Sequence, residues 1–277
     1  MKSALRRQLG RALRDLRGKP APRDIAVHDA RKQIKRARAS LRLLRDAIGE
    51  SAYRRANQRL RDAARPLSRV RDPKALIDVA DRLCADTKKS SRRAELASLE
   101  RALRSERRRL RQQLLEPGRL QSVRRTLQTV RTDSRRWPAP TEDSLCCAVE
   151  RIYRKSRKAF ARAETDQRDE TLHESRKQAK YLSRALTVLA PVDRGPIAKR
   201  AKRAEAIADA LGDDRDLALL RRRLVARPRS GSTRRALVDG IDDRRQKLQR
   251  KAAKKARRLY RRKAKAFVGA LDLRARA

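Results

Sequence analysis

An internal repeat constrains the fold of this chain more than any other feature of its sequence. The chain contains only two histidines, and each stands near the start of a similar segment: VHDARKQIKRARASLRLL at residues 27–44 and LHESRKQAKYLSRALTVL at residues 172–189. At an offset of 145 residues the identical pairs are Asp24 and Asp169, His28 and His173, Arg31 and Arg176, Lys32 and Lys177, Gln33 and Gln178, Lys35 and Lys180, Leu41 and Leu186, and Leu44 and Leu189. A high arginine content does not easily explain a match of both histidines, so we interpret the pattern as a duplication.

A second correspondence follows each histidine at nearly the same distance. The segment PLSRVRDPKAL at residues 66–76 resembles ALGDDRDLALL at residues 210–220, and the shared Arg-Asp pair begins 43 residues after the first histidine and 42 after the second. Between the copies, two prolines interrupt the helical pattern in DSRRWPAPTE, residues 133–142. We therefore predict two repeats, residues 1–136 and 140–277. Two copies are too few for a solenoid, which favours two bundles related by an approximate twofold axis.

Composition and periodicity predict an all-helical chain. Apolar residues make up 39% of the 277 residues, and the chain contains only 9 glycines and 10 prolines. This composition is typical of helices. No segment shows the alternation of a strand. The predicted helices cover residues 3–17, 25–49, 52–66, 73–86, 90–116, 119–132, 142–164, 170–190, 196–211, 214–226 and 233–271.

Each histidine segment is predicted to form an amphipathic helix with one basic face. In the first copy, the apolar face consists of Val27, Ala30, Ile34, Ala37, Leu41 and Leu44, and the basic face of His28, Arg31, Lys32, Lys35 and Arg42, flanked by Arg36 and Arg38. In the second copy, the basic face consists of His173, Arg176, Lys177, Lys180 and Arg184. Asp24 and Asp169 stand where an N-cap is expected. Like charges at helical spacing destabilise a helix, so the two basic faces indicate neutralisation by a partner.

The overall charge also indicates an anionic partner. Lysine and arginine number 79 against 33 acidic residues, which gives a formal net charge of +46. Such an excess opposes compaction unless an anion relieves it. Nucleic acid, a membrane surface and a polymer of phosphate all fit this charge. No segment reaches transmembrane length, and an odd number of cysteines, three, favours a reducing cytoplasm.

Further basic residues lie on the helices predicted to follow each histidine helix and near the end of the chain. The first group is Arg54, Arg61 and Arg65 in the first copy and Lys199, Lys202 and Arg203 in the second. The second group is residues 244–265, which contain 13 basic residues in 22 and no acidic one. This terminal segment is either a general electrostatic collar or a nucleic-acid-binding arm.

The two histidines have two interpretations. Each could pack or form a local hydrogen bond near a helix start, or each could donate a hydrogen bond to a bound anion beside arginine and lysine. Neighbouring cations and a helix N-terminus favour the neutral imidazole, whereas a bound phosphate favours the protonated form.

The pattern His-x-x-Arg-Lys-x-x-Lys on an amphipathic helix, followed by an Arg-Asp element, resembles the CHAD family of conserved histidine α-helical domains. The resemblance covers about residues 3–270 and rests on VHDARKQIKRARASLRLL, RVRDPKALI, LHESRKQAKYLSRAL and ALGDDRDLALL. It implies two four-helix bundles with pseudo-twofold symmetry and a basic groove or central pore. It also implies binding of inorganic polyphosphate and association with polyphosphate granules in the cytoplasm. Carried over by position, the binding residues are His28, Arg31, Lys32, Lys35, Arg36, Arg38, Arg42, His173, Arg176, Lys177, Lys180 and Arg184.

The second copy departs from the first in the distal half of its helix, where Tyr181, Ser183 and Thr187 replace Arg36, Arg38 and Arg42. The alternative function is a nucleic-acid-compacting protein that uses residues 244–265. Binders of single strands use aromatic platforms, whereas this chain has few aromatic residues and none is expected to cluster on the basic faces.

The sequence contains none of three common motifs of catalytic or phosphate-binding sites. It lacks a phosphate-binding GxxxxGK loop, a GxSxG motif and HExxH. Asp213, Asp214 and Asp216 could hold a divalent ion, although pairing with arginines or helix capping is the more ordinary role. We therefore expect a binding protein without catalytic activity, cofactor, metal or membrane partner, and make no prediction of its oligomeric state.

Overall fold

A computed structural model describes residues 1–17, 22–190, 195–228 and 231–271 of the chain, and these form eleven helices and no strand. The all-helical prediction is confirmed. The helices are α1 (Lys2–Asp15), α2 (Asp24–Leu43), α3 (Arg45–Ile48), α4 (Glu50–Asp86), α5 (Ser90–Leu115), α6 (Arg119–Asp133), α7 (Glu142–Thr165), α8 (Asp169–Leu189), α9 (Pro196–Val225), α10 (Ser232–Tyr260) and α11 (Ala264–Gly269).

Three hydrophobic clusters form the core of the described residues. One joins α1, α2, the first part of α4, and α6, and includes Leu9, Ile34 and Leu60. Another joins α7 to α11. The third is shared between the halves of the chain, because the second part of α4 and α5 pack there against α9 and α10. On α2, the predicted apolar face is buried, so its basic face is directed away from the core.

The prediction of separate helices at residues 52–66 and 73–86 is wrong, because α4 continues through Pro66 and Pro73. Each proline removes one helical hydrogen bond, but the apolar face continues across them and is buried on both sides, which offsets the loss. The predicted break between residues 211 and 214 is also wrong, since α9 is continuous from Pro196 to Val225. As a result, each Arg-Asp element lies inside a long helix.

The predicted single helices at residues 25–49 and 233–271 are each divided. The first is α2 followed by the short α3, and the second is α10 followed by α11. The break after α10 lies against the Tyr153 hydroxyl of α7, which is 3.1 Å from the carbonyl oxygen of Leu259 and 2.9 Å from that of Arg262 and can donate its one proton to either. Arg262 lies beyond the end of α10, so a buried side chain of α7 contacts both the last turn of α10 and the segment that follows it.

The prediction of aspartate N-caps is wrong in both copies, because the residue before each aspartate is the cap and no capping hydrogen bond is formed. Asp24 instead accepts hydrogen bonds from Arg107 and Arg111 of α5. Asp169 accepts hydrogen bonds from Arg222 of α9, at 2.8 Å, and from Arg245 of α10. Each aspartate therefore connects the start of a histidine helix to a neighbouring helix.

Among the described helices, none is both long enough and apolar enough to cross a bilayer.

Candidate anion-binding site

The two histidine helices contact each other, and basic residues of both meet at this contact. Four of these form what we call the inter-helix cluster: Arg31 and Lys35 of α2, with Arg176 and Arg184 of α8. Lys35 is within electrostatic reach of the other three. The structure thus brings together residues of the two copies that are 141 or more positions apart in the sequence and that the repeat had identified, apart from Arg184, which has no basic counterpart in the first copy.

Lys35 lies among like charges in the inter-helix cluster. Within the described part of the chain its ammonium group has no hydrogen bond or ion pair. Burial lowers the pKa of Lys35 to about 7, and repulsion from Arg31, Arg184 and Arg176 contributes to this shift. Burial likewise lowers the pKa of Arg184 to about 10, against the attraction of Glu205. Both side chains would be stabilised by an anion placed between them.

Residues of α4 around its Arg-Asp element contact Arg31 of the cluster. Arg31 donates from Nε to Ser68 Oγ at 2.9 Å and lies 3.7 Å from Asp72. Arg176 is attracted by Asp216 of α9 but forms no such hydrogen bond, and Gly212 faces it, where a Cβ atom would lie 3.1 Å from its Nε atom. The Nε atom of Arg176 is buried without a hydrogen bond in the described residues. A buried donor of this kind is costly, and an anion could satisfy it.

The histidines lie beside the cluster rather than in it, and they do not share a cavity. His28 Nδ1 accepts a hydrogen bond from Arg71 Nε at 3.4 Å, and the two residues line a cavity of about 270 Å³. His173 and Arg215 line a different cavity of about 130 Å³. Arg71 and Arg215 were not among the predicted site residues, although their repeated spacing from the histidines was a signal for them.

Both histidines are neutral at physiological pH. Burial lowers the pKa of His173 to about 4, with further repulsion from Arg215, Arg176 and Lys177. Burial and Arg71 lower the pKa of His28 as well. The Nδ1 atom of His173 is buried and has no hydrogen bond among the described residues. The imidazoles can therefore accept or donate one hydrogen bond without adding positive charge to the site.

A pocket of about 230 Å³ lies beyond the cluster, at the junction of α2, α3, α4, α7 and α8. Its cations are Arg38, Arg42, Arg45, Arg151, Lys155 and Lys177. Tyr53 and Tyr181 also line it, so the expectation that no aromatic residues cluster at the basic faces is wrong. Both rings are covered by arginine, because the guanidinium of Arg42 lies 3.6 Å from the ring centre of Tyr181 and that of Arg45 lies 5.1 Å from the ring centre of Tyr53. An arginine therefore lies over one face of each tyrosine, an arrangement that favours cation–π attraction.

The remaining predicted residues are outside the cluster. Lys32 and Arg36 are exposed on α2. On the following helices, Arg54 and Arg65 pair with acidic residues of α4, and Arg61 is exposed. Lys199, Lys202 and Arg203 are exposed on α9.

In the second copy, two predicted lysines are paired within the chain. Lys177 forms an ion pair with Glu174, and Lys180 forms ion pairs with Glu205 and Asp209. Glu205 and Asp209 were missed by the sequence analysis, which among the acidic residues of α9 considered only Asp213, Asp214 and Asp216.

The C-terminal basic segment contains both paired and exposed cations. Arg244, Arg245 and Arg257 form ion pairs with acidic residues of other helices. On α10 the cations that are exposed and have no acidic partner in the described residues include Lys247, Lys251, Lys254 and Arg258. Of the three aspartates considered as metal ligands, Asp214 accepts hydrogen bonds from Arg245 at 3.0 Å and Gln249 at 2.8 Å.

Comparisons with known proteins identify the family and the fold. A family model described as the CHAD domain matches residues 3–225. A solved structure, "PptA from Streptomyces chartreusis", is similar to this chain with a TM-score of 0.62 and 16% sequence identity, and the match covers 94% of this chain and 96% of that chain. No curated protein matches.

The depressed pKa of His173 predicts a loss of stability in mild acid. The native state binds the imidazole proton more weakly than the unfolded chain, so stability is complete above about pH 6.5 and falls as the pH decreases towards 4. Between pH 7.5 and 5, the wild-type chain should lose about 1 kcal/mol more unfolding free energy than His173→Gln, after allowance for solvent screening. Urea denaturation at both pH values measures this. Equal losses of unfolding free energy in the wild-type chain and in His173→Gln would contradict the lowered pKa of His173.

Proposed function

The chain belongs to the CHAD family, and on that premise we propose that it binds inorganic polyphosphate and catalyses no reaction on it. The observation that carries the proposal is the inter-helix cluster, in which the partly buried ammonium of Lys35 and the buried Nε atom of Arg176 are cationic donors without hydrogen-bond partners in the described residues. Phosphate oxygens are strong acceptors for both ammonium and guanidinium groups.

The chemistry of the cluster favours a phosphate polymer over a nucleic acid. Polyphosphate presents charge along a flexible chain and has no bases, so a binder needs many cationic donors and no stacking surface. The two tyrosines nearest the cluster already have arginines on their rings. Each contact with the polymer releases condensed counterions, and several modest contacts add up to tight binding.

We further propose that residues 1–136 and 140–277 are two copies of one helical bundle, related by an approximate twofold axis, with the polyphosphate in a groove or pore between them. The burial pattern of α4 and α9 supports this. At the offset of 144 residues set by Arg71 and Arg215, buried Leu60, Ala64 and Leu67 correspond to Ala204, Ala208 and Leu211, which are also buried. Association with polyphosphate granules in the cytoplasm is part of the same proposal.

The alternative function is nucleic-acid binding through α10. Lys247, Lys251, Lys254 and Arg258 follow one another at helical spacing and are exposed, which favours contact with a phosphate backbone. Both functions predict a strong dependence on salt, so salt alone does not separate them. Competition does: on the polyphosphate proposal, short-chain polyphosphate displaces labelled duplex DNA at a lower phosphate concentration than unlabelled DNA does.

Substitution distinguishes binding by the basic faces of α2 and α8 from binding by the exposed cations of α10. Replacing Arg31, Lys32, Lys35, Arg176, Lys177 and Lys180 with alanine should reduce polyphosphate affinity by at least about tenfold, because phosphate contacts and their counterion release are lost. Replacing Lys247, Lys251, Lys254 and Arg258 with alanine is the control and should change affinity by less than about threefold. Isothermal titration calorimetry measures binding, and circular dichroism checks the helices. The opposite ranking of the two variants would move the site to α10.

Lys35 predicts the pH dependence of binding. Its pKa is about 7 in the free protein, and a bound phosphate raises that pKa, so binding takes up a proton above pH 7. Affinity for long-chain polyphosphate should therefore be highest below pH 7 and fall as the pH rises to 9. The variant Lys35→Met should bind more weakly at pH 6 and show a flatter profile. An unchanged profile in Lys35→Met would exclude Lys35 from the contact.

A further inference from the structure

Lys35 and Lys180 occupy the same position in the repeat but have opposite electrostatic environments. The ammonium group of Lys180 donates to Glu205 and lies 3.0 Å from Asp209. Lys35 has no carboxylate within ion-pair distance in the described residues. One lysine is thus neutralised within the chain and the other is not.

The difference arises on the helix that packs against each histidine helix. At the offset of 144 residues, Glu205 stands where the first copy has Arg61, and Asp209 stands where it has Arg65. The burial pattern of α4 and α9 supports this register, as described above. The positions of the two carboxylates that bind Lys180 are therefore occupied by two exposed arginines in the first copy, so the first copy has no acidic residue at these positions to pair with Lys35.

Glu205 is held in place by a second residue of the histidine helix. It accepts a hydrogen bond from Ser183 Oγ at 2.6 Å, and Ser183 occupies the position of Arg38 in the first copy. The hydrogen bonds from Lys180 and Ser183 lower the pKa of Glu205 although burial opposes them. The carboxylate is therefore ionised at neutral pH. In the same copy, Lys177 is paired with Glu174, whereas the corresponding Lys32 is exposed.

On the basis of the polyphosphate binding proposed above, we propose that Glu205 and Asp209 compete with the polymer for the second basic face. Polyphosphate is then bound mainly by the first copy, together with Arg176 and Arg184 at the inter-helix cluster. A phosphate that approaches Lys180 must displace two carboxylates that are already bound, so the net gain from this contact is small. A phosphate that approaches Lys35 displaces no ion pair and relieves repulsion.

The matched variants Lys35→Ala and Lys180→Ala test this asymmetry. We expect Lys35→Ala to reduce affinity by about tenfold and to reduce the slope of log affinity against log salt by about 0.7, the value for one phosphate contact on a single-stranded polyanion. Lys180→Ala should reduce affinity by less than about threefold and leave the slope unchanged, because the lysine is neutralised before binding. Titration of labelled polyphosphate at several salt concentrations gives both quantities.

The double variant Glu205→Gln, Asp209→Asn tests the competition itself. Glutamine can still accept the Ser183 hydrogen bond, so the change removes charge with little change in shape. Affinity should rise by at least about threefold, and the salt slope should increase. In this background, Lys180→Ala should reduce polyphosphate affinity as much as Lys35→Ala does in the wild-type chain. If the double variant melts too early for titration, Asp209→Asn alone, at an exposed position, should give a smaller change in the same direction.

The outcomes separate this inference from the proposed function. A wild-type chain that binds no polyphosphate would overturn the function and the asymmetry together. A wild-type chain that binds polyphosphate, with equal losses for Lys35→Ala and Lys180→Ala and no gain on removal of the two carboxylates, would overturn only the asymmetry.

Discussion

The constraint on which the structure depends is the repulsion between cations that the fold has partly removed from water. Two histidine helices bury their apolar faces in separate clusters and meet along their basic faces. Burial and proximity then act in the same direction on Lys35, whose pKa falls to about 7. Folding thus stores an unfavourable interaction at this contact, and an anion is the simplest way to relieve it.

The fold limits this repulsion by distributing its acidic residues unevenly. Asp24 and Asp169 neutralise arginines far from the cluster and connect the histidine helices to their neighbours. Near the cluster, Asp72 lies beside Arg31, and Glu205 binds Lys180. Asp72, Asp216 and Glu205 thus offset part of the charge of the arginines in the cluster, whereas Lys35 forms no ion pair in the described residues. On this account, the ion pairs of the second copy reduce its share of phosphate binding.

The sequence predicted the helical class, the family and the residues that meet at the cluster, because helical periodicity is a local signal and the repeat is visible when two segments of the sequence are compared. It failed where packing overrides local preference. Pro66 and Pro73 signal a helix end, but burial on both sides carries α4 through them. The end of α10 is contacted by the hydroxyl of Tyr153, more than a hundred residues away, which no local pattern indicates. The pairing of Lys180 with Glu205 depends on the register of two helices, which periodicity does not supply.

The measurement that tests this account most directly is a crystal structure of the chain with short-chain polyphosphate. The account predicts phosphate oxygens within hydrogen-bonding distance of Lys35 Nζ and Arg176 Nε, with Lys180 still bound to Glu205. Polyphosphate ordered along Lys247, Lys251, Lys254 and Arg258 of α10, with Lys35 uncontacted, would contradict it.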